Sequence, residues 1–357
     1  MHGRVWTVYK IAVLYIGAVI GAGFASGQEI LQFFIVFEEK GLWGVVLAAA
    51  LFSFLGGLVM LLAVSVRSAN YNDVYRLVMG RIPGRIMDCL SLVMLPGGLV
   101  VMLAGGSAVF SEHLGLPGWL GTLLIAAVTI AVLSRGLKGV VTANIALVPL
   151  KVAVILLICF FALIYSGDRT ESGIPCASSS GARVNWLWSA ILYVSYNMVV
   201  PVAVLSSLGG KVTAEEGVLG GAAGGIALGI VTAMVYSAGR SFYPQIVGYE
   251  VPLLYIAGQL GAVVKLALGP LIWMAILTTA IADAHGFASR LAGAHNRRYR
   301  IIGTALVLLA VPLSALKFSF LVGVLYPLFG YVGLILLTAL LVALPIKILR
   351  RIFYKSV

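Results

Sequence analysis

Gly21-Ala22-Gly23-Phe24-Ala25-Ser26-Gly27-Gln28-Glu29 interrupts an apolar run that extends over residues 8–36. Glycine disfavours helix interiors, and a carboxylate in hydrocarbon costs several kcal/mol, so a continuous membrane helix is a poor home for this stretch. The expectation is a locally unwound segment. Its N–H groups, freed at the start of the following half-helix, suit an anionic group such as a carboxylate, and its freed carbonyls suit a cation. The competing use of such glycines is close packing of helices.

The rest of the chain supplies the context. Of 357 residues, 61% are hydrophobic and only 10% charged, and the mean hydropathy is +1.09. A soluble domain of this length has no interior large enough for so much apolar surface. Nine further apolar runs follow, at 42–66, 86–111, 118–134, 139–165, 186–208, 217–238, 265–289, 301–317 and 321–346. Each approaches the length that crosses about 30 Å of hydrocarbon as a helix, which predicts an all-α integral membrane protein of about ten spans, residues 1–357 forming a single transmembrane domain. The first run has no small-residue cleavage site and reads as a retained span.

Charge sets orientation. The net charge of +12 is spread over short loops instead of one basic face, which argues against nucleic acid as a partner. With the N-terminus inside, 17 of the 24 Lys and Arg residues fall on the inner side and 6 on the outer, leaving Lys151 in mid-helix. The bias places both termini in the cytoplasm and the chain in the cell membrane. The three cysteines, Cys89, Cys159 and Cys176, show no pairing pattern.

Residues 8–165 and 186–346 then hold five spans each, in opposite orientation, separated by the polar stretch Ser166–Val184. That is the inverted-repeat plan of many secondary transporters, in which the first helix of each half is broken at the substrate site. In the second half the corresponding helix carries Tyr193-Val194-Ser195-Tyr196-Asn197-Met198-Val199-Val200-Pro201. Pro201 lacks a donor and crowds the preceding turn, so a second break near Asn197 is expected. Gly21, Ala22, Gly23, Phe24 and Ser26 from the first helix, with Tyr193, Tyr196 and Asn197 from the sixth, are the candidate substrate-binding residues.

The motif Gly21 to Glu29, continued by Gln32-Phe33-Phe34, resembles the signature of the YkvI-like membrane proteins. More distantly, Gly21-Ala22-Gly23-Phe24 is similar to the Gly-x-Gly-Ile-type element in the first helix of amino acid/polyamine permeases, a branch of the LeuT-fold superfamily. The resemblance implies a LeuT-like fold and a permease for an amino acid or related amine that works by alternating access, with sodium or proton coupling. It names no substrate.

Within that resemblance, Ala275-Ile276-Leu277-Thr278-Thr279 in the eighth helix looks like the Ala-x-x-Thr-Ser element of sodium-coupled LeuT-fold transporters. The implied sodium ligands are Ala275, Thr278 and Thr279 with the carbonyls of Gly17 and Ile20; the alternative is hydroxyls that bond back to their own helix. Lys151, in a pattern with Asn144, resembles the fifth-helix lysine whose ammonium replaces sodium in some sodium-independent members. Both readings stay open. Glu29 and Asp283 are gate candidates, Glu29 on the outer vestibule and Asp283 at the inner gate. Asp283 and His285 face different sides of their helix. Tyr249-Glu250-Val251-Pro252 opens a stretch too short to cross, suited to an outer lid.

No catalytic set recurs at usable spacing, so an enzyme is not expected, and no cofactor is implied beyond the coupling ion. A permease-like sensor that binds solute without moving it is the main alternative. Oligomeric state and transport direction leave no trace in the sequence. A membrane-impermeant thiol reagent added outside intact cells should label cysteines placed within 166–184 and spare one placed at Arg298; outside labelling at Arg298 would invert the topology.

Overall fold

A computed structural model describes residues 2–68, 71–135, 138–165, 185–292 and 295–354. The Ser166–Val184 stretch, with Cys176, lies outside the described residues, as does the side chain of Asn144. Every regular element described is helical. In order they are α1 (His2–Val19), α2 (Ala22–Ser26), α3 (Gln28–Phe33), α4 (Glu39–Ser65), α5 (Tyr71–Met79), α6 (Arg81–Leu114), α7 (Gly118–Arg135), α8 (Lys138–Tyr165), α9 (Trp186–Ser206), α10 (Ala214–Ser241), α11 (Pro252–Leu260), α12 (Ala262–Ala292), α13 (Asn296–Leu313) and α14 (Phe318–Tyr354).

Among the described residues, seven helices are long and apolar enough to cross a membrane: α4, α6, α8, α9, α10, α12 and α14. Two apolar stretches, Gln28–Phe37 and Gly118–Ser134, are shorter. The first apolar run is divided among α1, α2 and α3. Large side chains such as Trp43, Val93, Leu157 and Leu309 are exposed around the outside. That is the pattern of a bundle whose solvent is lipid.

The glycines are spent on close approach. α4 and α10 form the tightest pair, because Gly56 and Gly57 on one face Gly221 on the other, and Gly225 sits on the backbone of Phe52 and Ser53. A Cβ at Gly221 or Gly225 would collide with main chain, which has nowhere to move. Tyr15 of α1 completes this seam, its hydroxyl donating to the Phe52 carbonyl at 3.0 Å.

One expected break is absent. α9 runs unbroken from Trp186 to Ser206 with Pro201 inside it. The proline ring removes the N–H that would bond the Asn197 carbonyl, yet the helix continues past it, with side chains on either side bonding back to other carbonyls of the same helix: Asn197 Nδ2 donates to the Tyr193 carbonyl at 3.1 Å, Ser206 Oγ donates to Val202, and Ser195 Oγ donates to Ile191 at 2.6 Å. The Asn197 side chain is thus buried against its own helix, and its carbonyl loses a helical donor because Pro201 has none, not because the helix unwinds.

Gly221→Leu should lower stability by at least the roughly 1–3 kcal/mol typical of overpacking, read as a fall in the thermal unfolding temperature of detergent-purified protein. Gly210→Ala, where an added Cβ meets nothing closer than 3.5 Å, should leave it nearly unchanged.

Candidate functional site at the interrupted first helix

The ladder of α1 ends where the sequence predicts. The N–H of Ile20 still reaches Ile16, but that of Gly21 bonds the Val19 carbonyl at 2.8 Å instead of reaching back four residues to Gly17. The Gly17 carbonyl thereby loses its helical partner. Unwinding is shorter than expected from 21–29 as a block, since Ala22–Ser26 re-forms one helical turn. The second kink falls at Gly27, whose φ of 81° is left-handed and suits glycine. Ser26 holds that corner: its Oγ donates to the Gly23 carbonyl at 2.7 Å and accepts from the Gln28 N–H at 3.2 Å.

α2 packs against α12, α11 and α6, and Ala22, Gly23, Phe24 and Ala25 are buried. On the α12 side Gly21 faces Thr279: a Cβ placed on Gly21 would lie 4.0 Å from its Oγ1. The structure thus brings Gly21 and the threonine pair together. Both hydroxyls donate to the Ala275 carbonyl, Thr278 at 3.1 Å and Thr279 at 2.9 Å. This is the back-bonding alternative, which uses the hydroxyl protons and leaves oxygen lone pairs available. The side of Gly17 that would carry a Cβ faces Val148 of α8.

Lys151 lies beside an earlier part of α12. Its buried side chain lines a cavity of about 10 Å³ with Ala25, Ile155, Leu268, Leu271 and Ile272. Ile272 and Thr278 are six residues apart on α12, about 9 Å at 1.5 Å per residue. The cavity beside Lys151 is thus lined from another level of α12 than the threonine pair.

Glu29 is not at an open vestibule either. Its side chain is 4% exposed and folds back into the notch left by Gly23, where an added Cβ would collide with its carboxylate. The Tyr196 hydroxyl donates to that carboxylate in a short hydrogen bond. Tyr196 therefore reaches the first helix. Tyr193 reaches the end of the same run and packs among Phe33, Phe34 and Phe52. Asp283 abuts Gly98 of α6, and His285 turns away to the Tyr299 hydroxyl at 2.8 Å. Arg290, one candidate cation for an inner gate, pairs with Asp88 at 3.3 Å.

Sequence reasoning missed two features. Tyr326 of α14 stacks on Tyr196, ring centroids 5.0 Å apart; a tyrosine in an apolar run carries no signal of that. The other is a latch at the α11 end. The Glu112 carboxylate accepts from the N–H groups of Glu250 at 2.6 Å and Val251 at 3.0 Å. The Glu250 carboxylate accepts from the N–H and hydroxyl of Ser319 at 2.6 and 2.9 Å, and Gln32 Nε2 donates to the Ser319 carbonyl at 2.6 Å. Four elements, α3, α6, α11 and α14, are tied over α2. At the opposite end Gly21, Thr279, Asp283, Gly97 and Gly98 stay partly accessible.

No family model matches the chain. It is 33% identical over 334 residues to the uncharacterized protein YyaD of Bacillus subtilis (strain 168), covering 93% of this chain and 95% of that one. To the uncharacterized membrane protein YkvI of the same organism it is 29% identical over 333 residues, covering 93% and 94%. Among solved structures it resembles inward-facing Mhp1 (TM-score 0.61, 15% identity, 91% of this chain and 73% of that one) and MhsT in complex with L-phenylalanine (0.59, 18%, 90% and 87%). A Na+-coupled sialic acid symporter also matches (0.55, 14%, 93% and 76%). At these identities the likeness is one of fold. The chain is a multi-pass membrane protein.

Glu112→Ala leaves two partly buried N–H groups without an acceptor, a cost of roughly 1–3 kcal/mol each. A cysteine at Ala257, fully buried on α11, should then react with a thiol reagent at least tenfold faster than in the Glu112 background; an unchanged rate would show that the latch does not hold the lid.

Proposed function

The chain belongs to the family of the Bacillus subtilis membrane proteins YyaD and YkvI, and we propose that it is a secondary transporter of a small polar solute, an amino acid or related amine. The observation that carries this reading is the interruption at Ile20–Gly21 inside the bundle, where a Cβ placed on Gly21 would lie 4.0 Å from the Thr279 hydroxyl oxygen. Broken backbone at that depth is tolerated where it lines a site. The fold likeness to a Na+-coupled symporter and to an amino-acid complex supports it.

In this proposal the ten apolar runs are ten spans in two inverted halves, with α1 to α3 acting together as the first, and the site residues are Gly21, Ala22, Gly23, Phe24 and Tyr196. The unbroken α9 makes the site asymmetric, since the first half supplies an interrupted backbone and the second only the Asn197 carbonyl freed by Pro201. With both termini inside, the latched α11 end faces outward and the accessible end faces the cytoplasm, which is the inward-facing half of an alternating-access cycle. Sodium would be held by the oxygens of Gly17, Ile20, Ala275, Thr278 and Thr279. Proton coupling would use Lys151 from its separate cavity. Transport is driven by the coupling ion, with no further cofactor.

Purified protein in liposomes should accumulate radiolabelled amino acids or amines when a sodium or proton gradient is imposed, and not without one. Accumulation under neither gradient rejects the transporter. Thr278→Val should raise the half-saturating sodium concentration at least tenfold, because a methyl group cannot replace an oxygen ligand. Sodium-independent uptake that follows a proton gradient and is lost in Lys151→Ala would assign coupling to the lysine.

A further inference from the structure

Glu29 has surroundings that a sugar, an anion or a neutral solute would not require. Its carboxylate is buried, and among the described residues no Lys, Arg or His forms an ion pair with it. Its hydrogen-bonding neighbours are the Tyr196 hydroxyl and the backbone N–H of Phe24 in the short α2 turn. A carboxylate taken out of water without a cation is only partly compensated by one hydroxyl and one backbone N–H. The walls around it are aromatic. Tyr196 lies 5.7 Å from Phe33, 5.7 Å from Tyr193 and 5.0 Å from Tyr326, centroid to centroid, and Phe33 also packs on Tyr193 at 5.4 Å.

A single acid among π-faces is the chemistry that recognises an organic ammonium ion: the carboxylate supplies opposite charge, and the ring faces attract alkylated nitrogen without hydrogen bonds. The placement fits loading and release. Glu29 sits in the Gly23 notch, on the turn that follows the break, while Tyr196 and Tyr326 come from α9 and α14. Three separate elements therefore meet at the one charge, and their separation would open the cage. Tyr326 also lies within electrostatic reach of Asp283, so a second acid stands on the accessible side of the same rings.

We propose that Glu29, caged by Phe33, Tyr196 and Tyr326, binds the ammonium group of an amine substrate, and that in the arrangement described the Tyr196 hydroxyl holds the carboxylate in the ligand's place. This deepens the transporter reading and rests on it for the word substrate, but the binding claim stands apart. The ligand class is an organic cation, for which a neutral molecule of the same shape is no substitute.

Binding is measured on detergent-purified full-length protein by calorimetry, with choline and n-butylammonium as cations and 3,3-dimethylbutanol as the neutral counterpart of choline. At least one cation should bind, and the neutral alcohol at least tenfold more weakly than choline or not at all. Glu29→Gln should weaken cation binding at least tenfold. Tyr326→Leu should weaken choline more than n-butylammonium, because the rings favour the methylated nitrogen. Should Glu29→Gln fail to fold, Phe33→Leu and Tyr326→Leu carry the test through the choline preference. Equal affinity for choline and the alcohol, unchanged affinity in Glu29→Gln, or no binding by either cation overturns the proposal. Cation binding that depends on Glu29, with no uptake into liposomes under any gradient, leaves the ammonium site standing and rejects transport.

Discussion

A helix can be interrupted inside an apolar bundle only where its neighbours accept the hydrogen bonds it gives up, and the arrangement around α2 follows from that constraint. Gly21 turns its N–H back to Val19, Ser26 bridges the Gly23 carbonyl and the Gln28 N–H, and Gly27 takes the left-handed conformation. These local bonds spare the chain a fully unwound segment. What they do not satisfy is the Gly17 carbonyl, and the Glu29 carboxylate draws on both the Phe24 N–H and, from another helix, the Tyr196 hydroxyl.

Packing elsewhere keeps that site in place. The glycine seam between α4 and α10 lets two long helices approach to main-chain contact, and Tyr15 ties α1 to it. Small residues at such an interface gain dispersion contacts that larger ones forbid. Across the bundle the latch of Glu112, Glu250, Ser319 and Gln32 works differently, with carboxylates receiving backbone N–H groups at a loop that could not otherwise satisfy them. One side is held by shape and the other by polar bonds. A side held by a few hydrogen bonds is the one that can open without dismantling the core.

The coupling chemistry is divided in the same spirit. Thr278 and Thr279 stand level with the broken end of α1, while Lys151 lines a cavity further along α12 with apolar neighbours. Two positively charged occupants at separate levels need not exclude each other as they would within one cavity, where repulsion at a few ångströms amounts to several kcal/mol even at an effective dielectric of about 20.

The sequence by itself determined the membrane class, the apolar runs and the break at Gly21, because hydropathy and glycine content act locally and a helix ladder fails within four residues of its cause. It also singled out Tyr196 and the threonines by type and depth. It could not place Pro201 inside an unbroken helix, since a proline can break a helix or be carried within it, and the packing around α9 decides which. The depth of Lys151, the return of Glu29 into the Gly23 notch, the stacking of Tyr326 and the latch through Glu112 and Gln32 join residues 6 to 287 positions apart. Only the tertiary structure decides those contacts, because they depend on which helix faces meet, and a run apolar on all sides does not encode its own rotation.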